Sequence, residues 1–322
     1  MTRFLIACTC LLLSTRAVVA QTEEPIHHKI TVPAGADLTL DGTLTIPDQT
    51  RGPVPVVLLI AGSGSTDRDC NSGNRLRTNA YKMLADSLVR QGIAVARYDK
   101  RGSGTNLSVA AKVIKPEEHR FDFYVSDALG FIRQLQADKR FSGVVVAGHS
   151  EGSLVGMLAA KQANLTKFVS IAGAGRTIAD IMKEQLKAGL GDTLRTLSYQ
   201  ILDSLRAGYR VNRVNPFLLS LFDPKNQPGL ISWMKYDPAA EIKTLKAQVL
   251  LINGQHDVQV PVSEAELLKK ARPDAKLVLP DRMNHILKDA PADRTENLKT
   301  YNDPTLPLSQ GVATAIVQFI KK

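Results

Sequence analysis

Short, continuous apolar runs alternate with amphipathic stretches along most of this chain. Residues 56–60 (Val-Val-Leu-Leu-Ile) form one such run, and 93–98, 144–147, 168–172 and 249–252 form others. Unbroken runs rich in β-branched residues predict strands buried on both faces, as a parallel sheet requires. The intervening stretches carry apolar residues at helical spacing. Leu84, Leu88 and Val89 lie within a predicted helix 76–90, and Val125, Leu129, Ile132 and Leu135 within a predicted helix 121–137. A third predicted helix follows Ser150 to about residue 162. This alternation predicts an α/β architecture with a mostly parallel, doubly wound sheet. Ahead of it, 26–32 and 38–46 predict an antiparallel edge pair, with Asp41-Gly42 interrupting the second strand.

The rhythm breaks after Ala174. Residues 176–242 contain no clear buried strand but show helical stripes: Ile178, Ile181, Met182 and Leu186, then Leu197, Ile201 and Leu205. An aromatic-rich part follows, with Phe217, Phe222, Trp233 and Met234. This segment is expected to be a helical cap over the C-terminal edge of the sheet. Alternation then resumes with a strand at 249–252, a helix at 263–271, a strand at 276–279 and a final helix at 309–320. The expected organisation is a core of 21–175 and 243–322 with the cap inserted at 176–242.

Composition changes this picture mainly at the N-terminus. Arg3 precedes an apolar stretch at 4–13 that is too short to span a bilayer, and small residues at 17–20 precede Gln21. That is the pattern of a secretory signal peptide, so export to a periplasm or beyond is expected, without stable membrane insertion. Leu5-Ile6-Ala7-Cys8 also has the form of a lipoprotein box. Two of the three cysteines lie in this segment, so only Cys70 remains and no disulfide framework is expected. The net charge of +10 is scattered rather than clustered with aromatics, which argues against nucleic acid as a partner. The six histidines are not spaced as ligand sets, so neither a metal nor another cofactor is expected.

The chemistry concentrates where an apolar run ends in Gly148-His149-Ser150-Glu151-Gly152 and passes into a helix. A serine at such a sharp strand-to-helix turn is held clear of the sheet edge, and glycines flank it where a Cβ would collide. The helix N-terminus offers free N–H groups to a developing oxyanion. A serine nucleophile needs a base, and the base needs an acid to hold its tautomer. Asp257 and His285 each follow a predicted strand, in the order serine, acid, histidine. His149 is expected to point away from the site, and His119 to lie far from it. The second oxyanion donor is expected from the Gly62-Ser63-Gly64 loop, as the Ser63 amide, alongside that of Glu151. Arg68 and Arg101, in loops on the same edge, either grip a substrate carboxylate or tie down loops through Asp67, Asp69 or Asp99. Phe217 and Trp233 are the candidate apolar substrate contacts.

With these residues in place, the chain resembles the α/β-hydrolase superfamily from about Val54 onward. The resemblance rests on the serine pentapeptide, on Gly254-Gln255-His256-Asp257 and on Asn284-His285. More narrowly, it is similar to exported bacterial hydrolases of the serine aminopeptidase-like and acylglycerol-lipase-like group. Their Gly-Ser-Gly, Asp-Arg-Asp loop has its counterpart in residues 62–69, and their Asp-Lys-Arg-Gly turn in residues 99–102. One departure is Ala61-Gly62, where many members carry His-Gly. The resemblance implies acyl-transfer hydrolysis of a small-molecule ester through Ser150, Asp257 and His285. Two other readings stand beside it: a peptidase or amidase using the same residues, with Asp180 and Glu184 available for a substrate ammonium group, and a non-catalytic binding protein on a hydrolase scaffold.

Overall fold

The computed structural model describes residues 21–322, apart from Gln49, Arg75 and Ala188. The expected signal segment, with Cys8, lies outside the described residues. Eight strands share one sheet: β1 (Gln21–Thr31), β2 (Asp37–Pro47), β3 (Val54–Ile60), β4 (Ala94–Tyr98), β5 (Phe141–His149), β6 (Lys167–Ile171), β7 (Gln248–Ile252) and β8 (Lys276–Val278). Their order across the sheet is β1-β2-β4-β3-β5-β6-β7-β8. β1, β2 and β4 pair antiparallel, and every pairing from β4 through β8 is parallel.

The alternation of side chains along β3 shows why this stretch must be a central strand. Val56, Leu58 and Ile60 join one apolar cluster, with residues of helices Asp122–Ala137 and Glu151–Gln162 such as Phe131 and Leu154. Val57 and Leu59 join a second cluster, with Leu84, Leu88 and Ile316 of helices Ala80–Val89 and Gln310–Ile320. A strand with helices on both faces has no side chain to leave in water, and each fully buried Val, Leu or Ile contributes roughly 1.5–3 kcal/mol.

The helix expected at 76–90 starts later, at Ala80. Asn71–Ser72 pairs instead with Leu76–Arg77 in a small antiparallel ribbon. The Asn71 side chain accepts from the amides of Thr78 and Asn79 at 2.8 and 3.1 Å, which holds that backbone out of the helix. A short helix, Leu107–Val113, was not signalled by the pattern: it buries only Ala110 and leaves Leu107 and Val109 exposed.

Between β6 and β7 the described residues form helices and no strand. Ile178–Lys187, Asp192–Arg206, Gln227–Trp233 and Pro238–Thr244 are the longer ones. Ala179, Ile201, Leu202, Leu205, Leu218, Phe222 and Met234 make a separate apolar cluster here. Phe222 and Met234 therefore pack the segment itself. Among the described residues no helix is long and apolar enough to cross a membrane, and no group of three metal-ligating side chains is found.

Candidate active site

The loops that leave the C-terminal ends of β3, β4, β5, β7 and β8 converge on one edge, where open parallel sheets hold their ligands. Ser150 sits between β5 and the following helix with φ 55° and ψ −121°. A non-glycine residue in such a conformation costs roughly 1–3 kcal/mol and persists only where its surroundings impose it. Two close approaches impose it here. A Cβ at Gly148 would lie 2.0 Å from the Gly152 carbonyl oxygen, and a Cβ at Gly152 would lie 2.4 Å from that of Ile60. The turn is tight because both positions lack a side chain.

Asp257 and His285 meet although 28 positions separate them. His285 Nδ1–H donates to Asp257 Oδ2 at 2.8 Å, and both side chains are buried. The other carboxylate oxygen of Asp257 accepts from the amides of Gln259 and Val260 at 2.8 and 2.9 Å, so the acid cannot swing away. The pairing fixes the tautomer of a neutral His285 with its proton on Nδ1 and a bare Nε2. Asn284 anchors the loop from behind, accepting from the Lys288 amide and donating to Thr300 Oγ1. His256 is spent elsewhere, donating through Nδ1 to the Ala290 carbonyl. Ser150 Oγ makes no hydrogen bond to His285 among the described residues. Such contacts are often long until a substrate is bound.

Ser150, Ser63 and Glu151 line one cavity of about 120 Å³, together with Ile178, Ile181 and Trp233 of the helical segment between β6 and β7. Among the described residues, neither the Ser63 nor the Glu151 amide donates to a protein acceptor. The loop before Ser63 is held from two sides. The Gly62 N–H donates to Tyr81 Oη at 3.2 Å. The Gly62 carbonyl accepts from Lys100 Nζ, which also donates to Glu151 Oε1 at 2.8 Å. Lys100 and Glu151 are thus a buried pair that ties the Gly62-Ser63-Gly64 loop to the Ser150 turn, and the Glu151 side chain has a part here beyond its amide.

His149 does not stand apart from the site. Its Nε2 lies 2.8 Å from the His285 carbonyl oxygen, which can only accept, so Nε2 carries the proton. The bare Nδ1 then accepts from Tyr81 O–H at 2.8 Å. One polar chain therefore runs from the Gly62 amide through Tyr81 and His149 to the backbone of His285. The His149 and His285 rings stand 4.7 Å apart. Burial, and next the nearby His285, push the His149 pKa down to about 3, so this ring is neutral. Tyr81 thus anchors the loop at Gly62, where the chain carries Ala61 rather than a histidine. Its position inside a predicted helix held no sign of this. Lys100 was legible only as part of the Asp-Lys-Arg-Gly turn, with no sign of its bonds to Gly62 and Glu151.

Other expectations are corrected. Arg68 is engaged as a loop tie, the second of its two expected roles: its guanidinium donates to Asp99 Oδ2 at 2.7 Å and to Thr43 and Thr105, and it lines neither cavity at the site. Phe217 is 82% exposed on the cap and lines neither cavity. Trp233 does line the serine's cavity. Arg101 is held by both oxygens of Asp127, at 2.7 and 2.6 Å. His119, expected far away, lines a second cavity that adjoins the first. Arg176 also lines the serine's cavity, while its guanidinium pairs with the buried Glu264. The single described cysteine, Cys70, is free and buried, its thiol pushed up to about 11 by burial.

A serine on a strained strand-to-helix turn, followed by an acid and a histidine on the ends of later parallel strands in this sheet order, defines the α/β-hydrolase fold. The comparisons narrow the class. A family model described as serine aminopeptidase, S33, matches residues 72–291, more than half of the chain, and the chain belongs to that family. It is 30% identical over 256 residues to esterase EstD from Thermotoga maritima, covering 77% of this chain and 58% of that protein. The chain thus spans somewhat over half the length of this relative. Among solved structures it is similar in fold to Est1E from Butyrivibrio proteoclasticus, with a TM-score of 0.55 at 16% identity, covering 92% of this chain and 100% of that one. The bromoperoxidase from Bacillus anthracis gives a TM-score of 0.52 at 20% identity, covering 93% and 100%.

Proposed function

We propose that this protein is a serine hydrolase of carboxylic esters that works through an acyl-enzyme. The observation that carries the reading is the Ser150 turn, where a strained serine shares its cavity with two uncommitted amides, those of Ser63 and Glu151. In the proposed reaction His285 Nε2 takes the Ser150 proton as Oγ bonds to the ester carbonyl carbon. The two amides hold the oxyanion of the tetrahedral intermediate. Its collapse breaks the bond to the alcohol, which leaves with the proton carried by His285. Water then enters, gives its proton to His285 and releases the acid, and Ser150 regains its proton. Asp257 holds the His285 tautomer and stabilises the imidazolium throughout. The similarity to an esterase at 30% identity supports this choice of bond.

An aminopeptidase reading, which the family description invites, needs a carboxylate for the substrate ammonium. Among the described residues lining the serine's cavity the only carboxylate is that of Glu151, and Lys100 already neutralises it. Asp180 pairs with Arg206, and neither Asp180 nor Glu184 lines this cavity. The site therefore favours an ester over an N-terminal peptide. Ser150→Ala is expected to lower kcat on p-nitrophenyl acetate by about a million-fold. Activity retained by this variant rules the proposal out, and faster cleavage of aminoacyl p-nitroanilides than of p-nitrophenyl acetate by the native enzyme favours the peptidase.

A further inference from the structure

The space at Ser150 is too small for a substrate of ordinary size. Small-molecule sites run to roughly 300–1,000 Å³, and the serine's cavity holds about 120 Å³. A second cavity, of about 410 Å³, shares two of its walls, Glu151 and Trp233. It lies between the short helix Leu107–Val113, the stretch 114–124, and cap residues on 221–233.

Its lining is apolar and electrically quiet. Its wall includes Ile114, Phe121, Tyr124, Leu221, Leu230 and Trp233. The Trp233 ring is fixed there, stacked on Phe121 with centroids 5.3 Å apart and planes at 8°. The charged groups that reach the wall already have partners: Arg101 is bound to Asp127 and Glu151 to Lys100. His119 is pushed down to about 4 by burial and by the nearby Arg101 and Lys100, so its ring is uncharged near neutrality. The mouth is apolar as well. Leu107 and Leu221 line the cavity and are exposed, as are Val109, Phe217 and Leu219 on the same two segments. Leu107 and Leu221 thus put apolar surface at the opening itself.

We propose that this second cavity is the specificity site for an uncharged apolar chain of the ester, reached from Ser150 across Trp233. The inference rests on the ester-hydrolase reading and names the substrate class for it: esters with a small reacting end and an alkyl or aryl group of medium length. An ionised group has no free partner along this wall, and burying it there unpaired would be costly. Each methylene buried in the cavity raises kcat/KM about fourfold, the equivalent of ~0.8 kcal/mol.

Trp233 is the only tryptophan of the chain, so its fluorescence reports on the cavity without catalysis. The Ser150→Ala protein is titrated with methyl octanoate, octyl acetate and methyl acetate. A saturable change in emission is expected with one or both of the long esters and not with methyl acetate, and the long ester that binds tells whether the acyl or the alcohol side occupies the site. In the native enzyme, kcat/KM is compared along p-nitrophenyl alkanoates and along alkyl acetates, from two carbons to eight. Ala111→Phe, at an exposed position on the cavity wall, is expected to lower the long-to-short ratio at least tenfold for the side that binds. No emission change with either long ester, or a long-to-short ratio that Ala111→Phe leaves within twofold, overturns the proposal. Saturable binding of a long ester together with no hydrolysis of any ester overturns the hydrolase reading instead and leaves the apolar site standing.

Discussion

Beneath Ser150 the polar atoms are bonded in chains. Gly62, Tyr81, His149 and the His285 backbone form one line, Gly62, Lys100 and Glu151 another, and Asp257 spends its two oxygens on His285 and on two amides. Across the cavity the helical segment between β6 and β7 presents Ile178, Ile181 and Trp233 and leaves Phe217 and Leu219 in solvent. The difference teaches where precision is needed. The floor is built from directional bonds that leave each group one position, as the proposed proton transfer and oxyanion would require. The roof is shape and surface, which suits the proposed apolar chain because such a chain makes no directional demand.

The contrast is broken most severely at the acid. Asp257→Asn should lower kcat about ten-thousand-fold on p-nitrophenyl acetate, because the amide favours the wrong tautomer of His285. Far-UV circular dichroism should stay native. Next comes Tyr81→Phe, which removes one oxygen from the chain beneath the site. It strands the Gly62 amide and His149 Nδ1, so kcat should fall about 10–100-fold with KM within about twofold, since small misplacements of reacting groups carry penalties of this order. Urea unfolding should show a loss of roughly 1–3 kcal/mol for the stranded groups.

Acid should probe the same floor. His149 is held neutral in the fold, with its pKa pushed to about 3, and takes up a proton near 6.5 when unfolded. The unfolded state therefore binds more protons between these values. Stability is intact above about pH 6.5 and is lost as pH falls toward 3, with a slope of up to ~1.4 kcal/mol per pH unit from this residue. His119, pushed down to about 4, acts in the same direction. Denaturant midpoints from pH 7 to pH 4 would show this, and His149→Gln should flatten the dependence. The roof should respond least. Phe217→Ser should change stability by less than about 0.5 kcal/mol in the same urea assay, as expected of an exposed side chain away from special features.

Much of the core was legible because its pattern has a single physical reading. A run such as 56–60 can only be covered on both sides, and the structure covers it with a helix layer on each face. The serine turn was equally legible, since a serine flanked by glycines between an apolar run and a helix leaves few conformations open. Asp257 and His285 were picked out by a rule of position, the ends of parallel strands, and the structure brings their side chains within 2.8 Å. Less was legible where side chains act across long sequence separations. Tyr81 reads as an ordinary apolar residue of its helix, and its partner His149 lies 68 positions away. For Arg68 and Arg101 the sequence left substrate contact and loop-tying both open; Asp99, one of the expected partners, holds Arg68, while the partner of Arg101 is Asp127, 26 positions away. Phe217 and Phe222 look alike in sequence, yet one is 82% exposed and the other fully buried.

By itself the sequence determined the alternation of strands and helices, the strained turn at Ser150 and the order of serine, acid and histidine. These follow from local periodicity, from backbone sterics and from the few side chains able to do such chemistry. Only the tertiary structure decided which polar groups are spent and which are free. It joined Tyr81 to Gly62 and His149, Lys100 to Glu151, and opened an apolar cavity beyond Trp233. A hydrogen bond or a cavity wall depends on atoms brought together from distant positions, and no local pattern encodes which of them will meet.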